Sequence, residues 1–319
     1  MVDLIQRRDN YRAIEEYRRR PLIVYATSTR PNVQAAMAGD AVREFIDQID
    51  AVPKDGRKVD VLLHSTGGDA LTAWKLMSIL RERFDEVAVL VPFMAFSAAT
   101  LFALGADEIH MHPHASLGPI DPQILIQQPG GPPRQFAYED VGAFLRFLAS
   151  DVKVTEQLHV SAIIEKLFSV VDPVHVGAAK RASELSSSVG ERLLLMHMSE
   201  GQDRAKARQI AENLNKSFFA HGDAVSRKRA KELELNIGAD DAELAGVALE
   251  RLSRAGDLHG VSQTIPPPAA LSCGPGWSGG TTTQRAGSAP AEHPPSGGSR
   301  RMEWCRKSGA AEFGGTERR

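Results

Sequence analysis

Four short apolar runs, PLIVYATS (21–28), VDVLLHS (59–65), EVAVLVPF (86–93) and EIHMHPHA (108–115), dominate the first half of the chain, and the stretches between the first three have helical spacing. Strand and helix in alternation give βαβ units, hence a parallel sheet covered by helices. In the first crossover, VQAAMAGDAVREFIDQIDAV (33–52), Ala38, Val42, Phe45, Ile46 and Ile49 share one face. In the second, DALTAWKLMSILRERF (69–84), Ala73, Leu76, Met77, Leu80 and Phe84 do the same.

The second half reads as mostly helical, with helices expected at 138–152, 155–170, 173–198, 203–218, 225–235 and 240–254. Segment 122–136, PQILIQQPGGPPRQF, reads as a loop broken by Gly and Pro. Residues 3–19 read as a helix appended to the surface. From about residue 261 the chain becomes rich in Gly, Pro, Ser and Thr and loses its apolar periodicity, so it is expected to stay disordered. The expected organisation is an N-terminal helical extension (1–20), an α/β domain elaborated by helices (21–260) and a disordered tail (261–319). Gly274, Gly276 and Gly279 in the tail have GxGxxG spacing, but no strand precedes them and Pro275 interrupts them, which argues against a dinucleotide loop.

Composition removes several function classes. Of 319 residues, 38 are Lys or Arg and 40 are Asp or Glu, so the net charge of -2 gives no electrostatic reason to expect a nucleic-acid or membrane-surface partner. No uncharged apolar run reaches the roughly 18 residues of a membrane span, and the start lacks the apolar core of a signal peptide. The reading is a soluble, cytoplasmic protein without a transmembrane segment. The two cysteines, Cys273 and Cys305, both fall in the tail and cannot organise the body through a disulfide framework or a cysteine zinc site.

The chemically informative stretch is Val59 to Gln123. The second strand runs into Ser65-Thr66-Gly67-Gly68-Asp69 and a helix follows at once. Glycines there let backbone N–H groups face a ligand, whereas the plainer alternative is a tight turn with Asp69 as helix cap. The third strand leads to VPFMAFSAATLFALGADEI, in which Ser97 opens a short helix beside the small residues Ala98, Ala99 and Thr100. A serine there is most often a cap. Two successive strand ends, however, bring amide donors and a hydroxyl to one edge of the sheet, and those are the requirements of acyl transfer.

The order STGGD, MAFSAATLFALGADEI and SLGPIDPQ (116–123) resembles the serine dehydrogenase proteinase family, a branch of the Clp protease/crotonase superfamily related to the signal peptide peptidases. The resemblance covers residues 20–123 and resumes at KSFFAHGDAVSRKRAKELEL (216–235), similar to that family's closing helix. It implies a Clp protease/crotonase-like spiral ββα superfold with a helical C-terminal part. It further implies a serine peptidase with Ser97 as nucleophile, the amides of Gly68 and Ala98 as oxyanion donors and Gly67 shaping the turn. Such hydrolysis needs no metal or nucleotide, takes a peptide or protein substrate, and goes with a homo-oligomer.

Where Clp proteases carry a histidine base, this chain reads LGPID. Relatives of the signal peptide peptidase type use a lysine from a later helix, and Lys180 in DPVHVGAAKRASELSS is the preferred match, with Lys153 and His221 in reserve. A lysine without an acidic partner in a buried site gives up its proton more readily and can then accept the serine's. Two other functions remain open: a crotonase-type enzyme on an acyl-thioester, stabilising an enolate with the same amides, and a catalytically silent scaffold. His110, His112 and His114 alternate along one strand, but spacing of about 7 Å between neighbours makes a metal site less expected than the exposed face of an edge strand.

Overall fold

The computed structural model describes residues 4–29, 33, 35–126, 134–216, 223–239, 241, 243 and 244. These fall within one compact unit, residues 1–270. Residues 271–319 lie outside the described residues, as do the rest of the tail expected from 261 and nearly all of the helix expected at 240–254.

The four apolar runs form β1 (Leu22–Ala26), β2 (Lys58–His64), β3 (Glu86–Val91) and β5 (Glu108–Met111), hydrogen-bonded in the order β1-β2-β3-β5 with every pair parallel. β2 is buried at every residue after Lys58, as a strand covered on both faces should be. Its Val59, Val61 and Leu63 face the main core, where Phe45 and Ile49 of α2 (Ala41–Ala51) and Leu76, Met77 and Leu80 of α3 (Ala70–Arg83) meet them. Leu62 points to the other face and packs with Leu90 of β3 and Ile14.

Ile14 belongs to α1 (Leu4–Arg18), which is therefore not a loose appendage: it covers the second face of the sheet, and Ile14 is completely buried. Arg18 donates to the buried carboxylate of Asp60 on β2 at 2.6 Å. Arg20 pairs with both Asp60 and Glu86.

A second, smaller sheet joins β4 (Met94–Ala95), β6 (Ser116–Leu117) and β9 (Val225–Ser226), and Ser65 bridges to Ala95 at its margin. The two central strands thus hand the chain to a short stretch of the second sheet before the next helix: β2 to Ser65 and then α3, β3 to β4 and then α4 (Ala98–Leu104). This is the expected ββα pattern. Every residue of α4 is buried.

The segment expected as a loop over 122–136 contains an antiparallel pair instead, β7 (Gln123–Ile126) with β8 (Arg134–Ala137). The Gly/Pro run between these strands masked the alternation on either side of it. The helical part follows as α5 (Tyr138–Ser150), α6 (Gln157–Phe168), α7 (Pro173–Leu194), α8 (Glu200–Lys216) and α9 (Arg227–Glu232). Asp172 caps α7 through the amide of Val174, with Pro173 at the first helical position. α7 is held to the α/β part by the Ser186 hydroxyl, which donates to the carbonyl of Ile120 at 2.5 Å, and to α8 by Ser183 and Asn215.

Candidate active site

Asp69 is the helix cap that the plainer sequence reading expects: its carboxylate accepts from the amides of Leu71 (3.3 Å) and Thr72 (2.9 Å) and from the Thr72 hydroxyl. Ser97 occupies the equivalent place before α4 but makes no capping hydrogen bond. Its backbone has φ 54° and ψ −118°, a conformation that a residue with a side chain adopts at a cost of about 1–3 kcal/mol. The hydroxyl of this half-buried serine is thus held at a strand-to-helix turn without serving the helix.

The turn of β2 into α3 is pressed against that serine. Gly67 has φ +103°, and a β-carbon on it would stand 2.5 Å from the Phe96 carbonyl oxygen and 2.7 Å from Cβ of Ser97. Gly68 is seated on the other side by Met37, whose amide donates to the Gly67 carbonyl (2.7 Å) and whose carbonyl accepts from Asp69 (2.8 Å). A β-carbon on Gly68 would fall 2.2 Å from the Met37 carbonyl oxygen, so only glycine fits. Among the described residues, the N–H groups of Gly68 and Ala98 have no hydrogen-bond acceptor.

Ser65 ties these parts together. Its buried hydroxyl accepts from the Gly67 amide at 3.0 Å and from the Thr27 hydroxyl at 2.9 Å. Its backbone pairs with β4, Ser65 N–H to Met94 O at 3.2 Å and Phe96 N–H to Ser65 O at 3.0 Å. One residue therefore fixes the glycine turn and the approach to Ser97 at once. The third motif joins through Gly118, whose amide donates to the Thr100 hydroxyl of α4 at 3.1 Å.

Ser97, Gly68 and Ala98 open into one cavity of about 360 Å³, whose far wall is α7 through Ala182, Leu185 and Ser186. Asp69 is the one charged residue among the described residues that line it. Lys180 is not brought there. It sits in a separate groove between α7 and α8, 56% exposed, with Nζ 3.8 Å from Glu184. At about 100° per residue, Lys180 lies roughly half a turn around α7 from Ala182. Lys153 is exposed between α5 and α6, at φ 63°, and His221 lies outside the described residues.

The sequence holds no cue for Met37 or Leu185 as parts of the site, because each is distant in the chain from the Gly67-Gly68 turn and Ser97 and would pass as an ordinary core or helix residue; Ser65 stands within the STGGD run, where nothing marks its hydroxyl as the support of the turn. The histidines differ from expectation. His110 and His112 are buried, and only His114 is exposed. The edge of β5 is closed by the bridge of Ile109 to Ile237, while His110 pairs with Glu108 at 2.9 Å. Among the described residues no cluster of His, Cys, Asp or Glu could hold a metal ion. Nor does any described helix have the length and apolarity to cross a membrane.

Residues 30–132, the segment that builds this site up to α7, match the family model of the ClpP-like SDH-type serine proteinases. The α/β part of the chain accordingly has the ClpP-like fold, and the matched family is one of serine peptidases. Two uncharacterized proteins of Methanocaldococcus jannaschii are similar in sequence. One is 28% identical over 225 residues, which cover 70% of this chain and 68% of that protein. The other is 27% identical over 197 residues, 62% of this chain and 57% of that protein, so the chain spans less than two thirds of its length. Similar solved structures include two variants of the 1510-N membrane-bound stomatin-specific protease, one of them in complex with a substrate peptide. Both are 16% identical and cover 70% of this chain, with TM-scores of 0.40 and 0.41 over 83% and 78% of the other chain.

Proposed function

We propose that the protein hydrolyses peptide bonds through an acyl-enzyme on Ser97, with the N–H groups of Gly68 and Ala98 as the oxyanion hole. The observation that carries this reading is the contrast between two helix starts on one sheet edge. Asp69 spends its side chain on capping, whereas Ser97 keeps a costly backbone conformation and does not cap. A strained, non-capping serine beside two uncommitted amides has the form of a nucleophile turn.

In the proposed reaction the Ser97 oxygen adds to the substrate carbonyl carbon and its proton passes to a base. The carbonyl oxygen, now negative, is met by the amides of Gly68 and Ala98. The base's proton then goes to the departing amine, and water repeats the sequence on the ester. Donors fixed in advance need no reorganisation as the charge forms, and each such donor is worth about 10²–10³ in rate. The start of α3, just beyond Gly68, adds a favourable field.

A Ser–Lys dyad through Lys180 is the finer part of the proposal and carries a structural condition. α7 must turn by roughly half a revolution, or Lys180 must give way to a group outside the described residues such as His221. The acyl-thioester alternative gains nothing from the cavity, since its one described acid, Asp69, is already held by two amides and a hydroxyl. The test is covalent labelling with a small alkyl fluorophosphonate, with the labelled residue mapped by mass spectrometry. Labelling at Ser97, lost in Ser97→Ala with the fold retained, is the expected result; a parent protein that does not label at Ser97 overturns the proposal.

A further inference from the structure

Resting on the peptidase reading, we infer that Thr100 is a positioning residue for the Ser97 nucleophile: its hydroxyl straps α4 back to the strand before the turn and so denies Ser97 the capping conformation. Thr100 is the third residue of α4 and is completely buried, and the third residue of α3 is also a threonine, Thr72. The two hydroxyls have opposite destinations. Thr72 donates to the capping carboxylate of Asp69 at 2.7 Å, so its helix start is closed by the cap. Thr100 instead bonds to backbone on the far side of Ser97, its hydroxyl 2.7 Å from the carbonyl oxygen of Ala95 and 2.9 Å from that of Gly118.

The strap acts on the backbone that leads into the serine. Ala95 O belongs to the peptide unit that joins Ala95 to Phe96, and the other end of that unit, the Phe96 N–H, donates to Ser65 O at 3.0 Å. Both ends of the unit are thereby fixed. The next two units are fixed by α4 itself, where Phe96 O accepts from the amide of Ala99 and Ser97 O from that of Leu101, each at 3.0 Å. Among these held units Ser97 has φ 54° and ψ −118°, whereas Asp69, which caps, has the ordinary extended values of −81° and 123°. To cap α4 through the Thr100 amide, as Asp69 caps α3 through that of Thr72, Ser97 would need that extended backbone, and the units around it would have to swing.

Gly118 anchors the other end of the strap. Its amide donates to the Thr100 hydroxyl at 3.1 Å and also reaches Ala95 O at 3.2 Å, so the hydroxyl is enclosed by three backbone groups with no water needed to satisfy it. A β-carbon on Gly118 would stand 2.9 Å from the ring of Phe96, which sets the residue before Ser97 on the same glycine. Thr100→Val removes the hydroxyl at nearly constant volume and leaves the Gly118–Ala95 bond in place. The small sheet therefore stays joined in that variant, while the restraint on the turn is lost.

The test uses the full chain and the small alkyl fluorophosphonate, whose phosphorus bonds to the Ser97 oxygen as fluoride leaves and the hydroxyl proton passes to solvent. Rates at Ser97 are followed by mass spectrometry over a range of reagent concentrations and expressed per folded molecule. Thr100→Val is expected to lower the maximal rate about 10²-fold with the half-saturating concentration unchanged, the signature of a displaced nucleophile and not of weakened binding. Thr100→Ser keeps the hydroxyl and should stay within about threefold of the parent. Ser183→Ala, which removes a buried hydroxyl bond between α7 and α8, is the control for lost stability and should label at the parental rate per folded molecule. If Thr100→Val does not fold, Thr100→Cys replaces it: a thiol is a poor donor, and at least about tenfold slower labelling than in Thr100→Ser is expected. Parental labelling in Thr100→Val or Thr100→Cys, or equal slowing in Thr100→Ser, overturns the inference while the peptidase reading stands. A parent protein that does not label at Ser97 overturns both.

Discussion

Gly67 lies so close to Ser97 that a β-carbon on it would stand 2.7 Å from the serine's own. The glycine turn and the proposed nucleophile are therefore one packed unit. Gly67→Ala introduces that carbon at φ +103° and must push Phe96 or Ser97 aside. Labelling of Ser97 is expected to fall about 10²-fold, together with a loss of several degrees in melting temperature. Parent-like labelling in this variant would show that the turn does not set the serine's position.

A second prediction concerns the hydroxyl beneath that turn. Ser65→Ala leaves the buried amide of Gly67 without its acceptor, at a cost of about 1–3 kcal/mol. Thr27→Val removes only the outer hydroxyl of the chain and keeps the Ser65–Gly67 bond. Labelling at Ser97 is expected to slow more in Ser65→Ala than in Thr27→Val, by about tenfold. Equal rates in the two variants would assign the Ser65 hydroxyl a packing role alone.

What the sequence made legible follows from the range of each interaction. β2, α3 and α4 declare themselves through apolar runs and small residues within a few positions, so the sheet, the Gly67-Gly68 turn and Ser97 could be read directly. The seat of Gly68 could not, because Met37 falls inside the stretch 33–52 that reads as the first crossover helix, whereas α2 begins only at Ala41 and Met37 bridges to Gly68 instead. The resemblance points to a lysine from a later helix, but helix membership does not fix which face meets the site, and α7 turns Ala182 and Leu185 toward Ser97 rather than Lys180. The face of α1 was similarly hidden: its many charges suggested a surface helix, while the burial of Ile14 and the pairing of Arg18 with Asp60 depend on the other face of the sheet.

That pairing gives the third prediction. Asp60 is almost fully buried, and Arg18→Ala leaves its carboxylate only the longer contact with Arg20 at 3.6 Å. Breaking a buried pair by removing one partner costs about 3–5 kcal/mol, and the remaining arginine should reduce this to about 2–3 kcal/mol. For a body of this size that corresponds to a fall of roughly 5–10 °C in melting temperature. A change within about a degree would show that α1 does not contribute to the stability of the sheet.

pH supplies a fourth. Burial holds His197 below the ordinary histidine range, opposed in part by its hydrogen bond to the Leu104 carbonyl. The folded state therefore binds its proton less readily than the unfolded chain. Stability from this group is complete above the ordinary histidine pKa of about 6.5 and is lost as pH falls from there toward the depressed folded value. Melting temperature should drop between about pH 7 and pH 5, and His197→Gln should flatten that slope. An identical slope in the variant would move the effect to other groups, His110 first, which burial also holds low.

The last prediction separates the two ways Ser97 can lose its proton. Lys180 is more than half exposed, pairs with Glu184 at 3.8 Å and faces the groove between α7 and α8. In that arrangement its ammonium has no route to the serine, and Lys180→Ala should change the rate of labelling at Ser97 by less than about twofold, the scale of an exposed ion pair's influence. If α7 instead rotates in the working enzyme, Lys180→Ala should slow labelling by about 10²-fold or more, the contribution expected of a positioned base. Lys180→Arg distinguishes a base from a mere positive charge, because a guanidinium keeps its proton and would restore only the charge. Rate–pH profiles of the parent and of His221→Ala complete the comparison. A rise in the parent through about pH 6–7 that vanishes in His221→Ala, with Lys180→Ala at the parental rate, would assign the proton to the imidazole.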